Sequence, residues 1–363
     1  MMDESNRTEL IPTDESYYDY FDNTTETFGS TYTQEEIDLY YYYINISIAI
    51  WKYVPGVLIV VGVIGNALSA LVMTRPSLKK NVSSLFFTVL AFVDTFCLLT
   101  GLLRYWILGL TDDDHDIRND SEVSCILHTF LVYWSADFSG WILALVSAER
   151  CLAASFPHIY KQSCTRTKAA ISLIICALLL VAVNCHLLFG LEMNTNNNRN
   201  VSSCHNKPII DHYHGFVFPW IDLIFFCLGP FLCILMCNIN IIVKVLRSRA
   251  ATRAATSADK STRNRLSSMT AILICVSIFY VVCTAPVAVY LIYQNSWLHG
   301  SELVFYGKMQ LYWAVASIMS YFNNSMNFFL YCMSGPRFRK ELIRMFGGLR
   351  SLSISHESSV SGI

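Results

Sequence analysis

Residues Ala169–Leu191 read AAISLIICALLLVAVNCHLLFGL, an apolar run with no Asp, Glu, Lys or Arg. A helix needs about 20 mostly apolar residues to cross the hydrocarbon core of a bilayer. Lipid offers no partners to backbone N–H and C=O groups, so a run of this length satisfies them only as a helix. Strands of a membrane barrel would show short segments of alternating polarity instead. Six further stretches are likewise long and mostly apolar: Ile50–Met73, Val82–Leu108, Cys125–Ala154, Phe216–Leu246, Met269–Tyr293 and Leu303–Met333. The expected fold is an all-α membrane protein, a bundle of seven transmembrane helices.

Composition agrees. The chain is 54% hydrophobic and 15% charged, with a mean hydropathy of +0.41. Soluble domains lie nearer 45–50% apolar and about 25% charged. A net charge of −1 gives no overall attraction to nucleic acid. Most of the 13 cysteines sit inside apolar runs, where cysteine behaves as a small buried hydrophobe. Neither a CxxC pair nor zinc-finger spacing occurs, so no structural metal is expected. No nucleophile–base pair or phosphate loop points to an enzyme. Met1 to Thr33 is polar and acidic, without the basic start and short apolar core of a signal peptide.

Nineteen of the 26 Lys and Arg residues fall on the side that holds the second set of loops and the C-terminal segment. By the positive-inside rule that side is cytoplasmic and the N-terminal segment is extracellular. Sequons at Asn6, Asn23, Asn45, Asn119 and Asn200 fall on the outer side, as glycosylation requires. The expected layout is an acidic, Tyr-rich outer tail over 1–48, the bundle over 49–334, and a Ser-rich inner tail over 347–363.

Ionisable side chains inside such helices cost about 2.5–3.5 kcal/mol each and by default mark function. The second stretch holds Asp94; the third holds Asp137, Ser139 and Glu149-Arg150; the fifth holds Asp222; the seventh holds Asn323, Asn324 and Asn327. At 100° per residue, Ser135 and Ser139 share a face, as do Asn323 and Asn327, while Asp137 looks toward a different neighbour. For the asparagines, hydrogen bonding that merely holds the bundle together is an equal reading.

These residues fall in the order of the rhodopsin-like receptor family, which the chain resembles over about Ala49 to Phe346. Gly65-Asn66 stands in the first helix and Leu90-Ala91-Phe92-Val93-Asp94 in the second. Glu149-Arg150-Cys151 closes the third, 25 residues after its opening Cys125. Pro230, then Cys283-Thr284-Ala285-Pro286, then Asn327-Phe328-Phe329-Leu330-Tyr331 follow in the last three helices. Gly335-Pro336-Arg337-Phe338-Arg339 resembles the start of a short amphipathic eighth helix, over 335–346. The resemblance implies a Cys125–Cys204 disulfide at the outer face. It also implies a sodium ion as allosteric cofactor at Asp94, Ser139, Asn323, Asn324 and Asn327, and a switch at Glu149, Arg150 and Tyr331. A heterotrimeric G protein would be the inner partner, with an arrestin-like regulator on the phosphorylated tail, and the plasma membrane the location. The run Asn324–Phe328 is similar to that of invertebrate peptide receptors of the FMRFamide and myosuppressin type.

Departures from the family pattern bear on signalling. Thr284 stands for the sixth-helix Trp, Asn238 for the fifth-helix Tyr and Phe328 for the seventh-helix Pro, and the fourth helix lacks its Trp. An extracellular peptide is the expected ligand, because three tyrosines lie among carboxylates at Asp14–Asp22, a setting that favours sulfation and capture of a basic partner. Candidate contacts are Asp222 and Asp137 for a ligand arginine, Arg104 for an acidic group or a carbonyl, and Tyr133, His128 and Trp313 nearby. Val132 stands where amine receptors carry an aspartate, which speaks against a monoamine. The alternatives are a chemosensory receptor for a small molecule and a non-signalling scavenger. A light-driven pump would need a lysine deep in the last helix, and Lys308 is near its outer end.

Overall fold

The computed structural model describes residues 32–111, 115–196, 201–253, 278–294, 302–334 and 336–347. Seven long helices follow one another. They are α1 (Gln34–Met73), α2 (Val82–Cys97, Leu98–Leu102 and Leu103–Leu110 end to end), α3 (Glu122–Ser155) and α4 (Arg166–Asn184, continued by Leu187–Gly190). Then come α5 (Pro208–His212, Tyr213–Val217, Phe218–Asp222, Leu223–Leu228 and Gly229–Arg253 end to end), α6 (Ile278–Gln294) and α7 (Leu303–Ser334). A short α8 occupies residues 336–347. Helices α1 to α5 are long and apolar enough to cross a bilayer, and the described part of α6 is a shorter apolar helix. This is a multi-pass membrane protein.

Helix α1 starts well before the apolar run does. Thr33 and Glu36 form a reciprocal cap: the Thr33 hydroxyl accepts from the Glu36 N–H (3.3 Å), and the Glu36 carboxylate accepts from the Thr33 N–H (2.7 Å). Tyr40 and Ile44 then bury themselves against Leu303 of α7. Residues 34–48, which the sequence assigns to the outer tail, are helix, because cap and packing outweigh their polarity.

Two prolines free backbone carbonyls, and neighbouring helices use the openings. Pro55 has no N–H for the Trp51 carbonyl, and α2 approaches there through Gly109; a Cβ on Gly109 would lie 2.8 Å from that oxygen. Pro230 likewise cannot donate to Phe226, and the Tyr280 hydroxyl of α6 donates to that carbonyl instead. The wide π turn Leu223–Leu228 loosens the same region, where Trp141 Nε1 of α3 donates to the Phe225 carbonyl (2.9 Å). The largest buried cluster gathers Phe86, Leu90, Ile142, Leu173, Ile234 and Tyr280.

Strands β1 (Leu191–Asn196) and β2 (Val201–Asn206) form an antiparallel hairpin with Met193 opposite Cys204. Cys204 is joined to Cys125 at the start of α3, with Cα atoms 5.5 Å apart. Asn119 Oδ1 accepts from the Cys204 N–H (3.2 Å), so this sequon residue also braces the hairpin. Asn45 is exposed on α1, while Asn6, Asn23 and Asn200 lie outside the described residues, as do the tyrosines of Asp14–Asp22 and the Ser-rich tail. At the other end of the bundle, Phe338 of α8 is buried beside Val72, Leu78 and Tyr331. Ile343, on the same short helix, is 71% exposed, the amphipathic pattern of a helix lying on a membrane surface.

Candidate functional site

Polar side chains inside the bundle fall into four layers. Nearest the hairpin, Arg104 of α2 grips Asp116 with two bonds, Nε to Oδ1 (2.8 Å) and Nη2 to Oδ2 (2.5 Å). Arg118 joins from the loop, its Nη2 3.0 Å from Asp116 Oδ2. Burial works to raise the Asp116 pKa, but the two guanidiniums outweigh it and hold the carboxyl well below the usual carboxylate range. Arg104 therefore meets an acidic group, as the sequence allowed, but one from its own chain. His128 Nε2 lies 3.2 Å from the Thr100 carbonyl, leaving its Nδ1 buried without a partner. Trp313 packs on Tyr290 (ring centroids 4.8 Å apart) and Tyr105 (6.3 Å), and Arg104 lies over the Tyr105 ring.

One step deeper, Tyr133 packs edge-on against Phe218. Below it, Asp137 is 1% exposed and Asp222 is 4% exposed. Asn184 Nδ2 of α4 donates to Asp137 Oδ2 (2.8 Å), while Asp137 Oδ1 and Asn184 Oδ1 are buried without partners. Asp222, on the Phe218–Asp222 turn of α5, is likewise buried. A carboxylate buried this deeply calls for hydrogen bonds or a compensating positive charge. Asp137 thus faces a different neighbour from Ser139. Asn184, which holds it, was visible as the lone amide in the apolar run Ala169–Leu191 but was not singled out there.

The third layer centres on Asp94, which has no exposed surface. Its Oδ1 accepts from Ser139 Oγ (2.6 Å) and Asn324 Nδ2 (2.9 Å), and its Oδ2 from Asn327 Nδ2 (2.7 Å). Asn66 Nδ2 ties α1 to the Asn324 carbonyl (3.2 Å). Asn323 is buried but is not among the donors to Asp94. Three helices are thereby gathered on one carboxylate, with the Asn66 Oδ1 and Asn327 Oδ1 atoms buried and unpartnered.

The fourth layer holds Glu149 and Arg150. Glu149 Oε2 accepts from Ser83 Oγ (2.6 Å) and lies 3.3 Å from Arg150 Nε, while its Oε1 accepts from the Tyr160 hydroxyl (2.6 Å). Tyr160 sits on the loop helix Pro157–Ser163; burial, and next its bond to Glu149, push its hydroxyl pKa upward. Ser83 and Tyr160 were not legible as partners, since neither belongs to a local motif. Tyr331 is buried against Phe87 and Phe338, with its hydroxyl unpartnered.

The residues that depart from the family pattern are also placed. Thr284 donates to the Tyr280 carbonyl (2.9 Å) and lies beside Cys227. Asn238 is buried. Phe328 leaves α7 helical throughout, its ring against Gly65 of α1. Trp134 of α3 donates its indole N–H to the Ala177 carbonyl of α4 (3.1 Å), the helix that has no Trp. Among the described residues, no cluster of three or more His, Cys, Asp or Glu side chains forms a metal centre.

A family model described as "7 transmembrane receptor (rhodopsin family)" matches residues 65–331. A probable G-protein coupled receptor of Caenorhabditis elegans is 20% identical over 310 residues, covering 81% of this chain and 68% of the relative. The FMRFamide receptor of Drosophila melanogaster is 24% identical over 343 residues, covering 87% of this chain and 58% of the relative. Cysteinyl leukotriene receptor 1 of Sus scrofa is 24% identical over 199 residues, covering 52% and 54%.

Proposed function

Because the chain belongs to the rhodopsin family of seven-transmembrane receptors, we propose that it receives an extracellular peptide and passes the signal to a heterotrimeric G protein. Such receptors are signalling proteins, not enzymes. The observation that carries the peptide reading is the buried pair Asp137 and Asp222, with Asp137 Oδ1 lacking any partner. A guanidinium or ammonium of a basic peptide supplies the missing positive charge, and a guanidinium can bridge two carboxylates. Similarity to the FMRFamide receptor of Drosophila melanogaster supports this reading. Tyr133 and Trp313 are aromatic walls above the pair. Arg104 and His128 order the entrance through Asp116 and Thr100 rather than waiting free for ligand.

On this reading the hairpin end faces the outside of the plasma membrane and the Glu149 layer faces the cytoplasm, as the distribution of Lys and Arg favours. Glu149 holds Arg150 in the resting state, and agonist binding favours a state in which Arg150 is free for the G protein. A sodium ion fits the Asp94 layer by donor chemistry. The Asp94 carboxylate, the Ser139 hydroxyl and the unpartnered amide oxygens of Asn66 and Asn327 are oxygen ligands suited to a hard cation. An arrestin-like protein on the phosphorylated Ser-rich tail completes the scheme.

The test is G-protein dissociation in cells expressing the receptor, read across short amidated peptides with and without basic residues. A saturable response to basic peptides is expected, lost in Arg150→Ala with surface expression intact. Asp222→Asn is expected to raise the EC50 of such an agonist by roughly tenfold to a thousandfold. An unchanged EC50 removes Asp222 from the site, and responses indifferent to peptide charge overturn the reading.

A further inference from the structure

Three free cysteines gather between α3 and α5. Gly140 of α3 meets Pro230 of α5: a Cβ on Gly140 would lie 3.4 Å from the Pro230 ring. Both helices run the same way through the bundle and pack along one another beyond this point. Cys151 comes eleven residues after Gly140, about three turns on and on the same face of α3. Cys237 comes seven residues after Pro230, about two turns on and on the same face of α5. Their side chains meet there. The Cys237 thiol is within hydrogen-bonding reach of Cys151 and of Cys233, one turn earlier on its own helix. All three are half-buried, unlike Cys97, Cys227 and Cys283, which are sealed in the core.

Such a trio could hold a soft metal ion or form a disulfide. The sulfurs are not arranged as a metal centre, since among the described residues no three ligands are. Within α5, Cys233 and Cys237 cannot be joined. Cβ atoms four residues apart on a helix are about 5–6 Å apart, and a disulfide needs about 3.5–4.5 Å. Cys151 and Cys237 stand on separate helices and escape that restriction. We propose that Cys151 and Cys237 form a reversible disulfide under hydrogen peroxide, which pins α3 to α5 beside Arg150 and lowers coupling to the G protein. One thiolate of the pair attacks peroxide: an S–O bond forms, the O–O bond breaks, and the released hydroxide takes up the thiol proton as water. The second thiol attacks the sulfenic sulfur; the S–S bond forms, the S–O bond breaks, and a second water leaves. The two thiols lose two electrons, and one peroxide is reduced to two waters. Because the thiols already touch, the second step needs no encounter. The effect on coupling rests on the orientation and switch proposed above. These place the pair on the cytoplasmic side, where thiols are kept reduced at rest, so the bond is conditional on oxidant.

Full-length receptor in mild detergent would be treated with hydrogen peroxide, its remaining thiols capped with N-ethylmaleimide, and its peptides mapped by mass spectrometry without reduction. A peptide joining Cys151 to Cys237 is expected, lost on treatment with dithiothreitol. It should be absent from Cys151→Ser and Cys237→Ser and present in Cys233→Ser. Oxidation should raise the melting temperature of the parent and of Cys233→Ser, and not that of the other two variants. In cells, peroxide should remove most of the parent's G-protein response and leave Cys237→Ser responsive. If one serine variant does not fold, the other supplies the comparison. A map in which peroxide joins other cysteines, or joins none, would overturn the pair. A Cys151–Cys237 bond that leaves the parent's coupling unchanged would overturn the lock. A parent silent to every peptide before oxidation would count against the signalling reading instead, and mapping and melting would still decide the disulfide.

Discussion

Asp116 illustrates how a single loop residue orders the hairpin end of the bundle. Two guanidiniums lower its pKa, so its contribution to stability is present above the unfolded value of about 3.9 and is lost as pH falls through the lower folded value. Asp116→Asn should therefore lower the melting temperature by a nearly constant amount at neutral and mildly acidic pH. The gap to the parent should close only below roughly pH 4. A gap that closed near neutrality would mean that another group, not Asp116, controls the difference. Individual residues were unevenly legible. Asp94, Asp137 and Asp222 stood out because a carboxylate in an apolar helix is conspicuous. Their partners did not, since Asn184, Ser83 and Tyr160 lie 47, 66 and 11 residues from the carboxylates they serve. Asn323 was grouped with Asn327 by helical phase alone, and phase fixes a side of the helix but not which amide reaches the carboxylate.

At the scale of elements, the junction of α3, α5 and α6 turns on a carbonyl that proline leaves open. Tyr280 fills it, and the same hydroxyl stands where a Cβ on Gly140 would have to go. Tyr280→Phe should destabilise the receptor by about 1–3 kcal/mol, because the Phe226 carbonyl is left buried without its donor. Gly140→Ala should destabilise by steric conflict with that hydroxyl. The two changes together should cost less than their sum, measured as a double-mutant cycle of thermal stability. Strict additivity would show that Tyr280 and Gly140 do not share this contact. The sequence carried the prolines plainly but not their recipients, for the donor comes from another helix. The early start of α1 was legible in principle: Thr33-x-x-Glu36 is a capping signature. It was obscured because Glu35, Glu36 and Asp38 keep that stretch from reading as a membrane span.

The whole molecule is closed at one end by the Cys125–Cys204 bond, which links positions 79 residues apart. A loop of that length loses enough chain freedom for the bond to contribute about 4 kcal/mol, in the chain-entropy view. Cys125→Ser and Cys204→Ser should lower melting temperature and surface expression to the same degree, and the double variant should be no worse than either. A further drop in the double variant would show that each thiol has a separate role. The order of seven apolar stretches made this architecture legible, since length and hydropathy are local properties; the layering of polar groups between helices is not. One dimension of the assembly has a mechanical meaning. Forty residues of α1 make a rod of about 60 Å, twice the roughly 30 Å of hydrocarbon it must cross. Its first turns are fastened to α7 by Tyr40, Ile44 and the Ser47–Gln310 bond, and its later turns by the Ser325–Leu58 bond and Asn66. Anything that tugs on the projecting stub of α1 is thus pulling a handle bolted along α7, the helix whose asparagines grip Asp94.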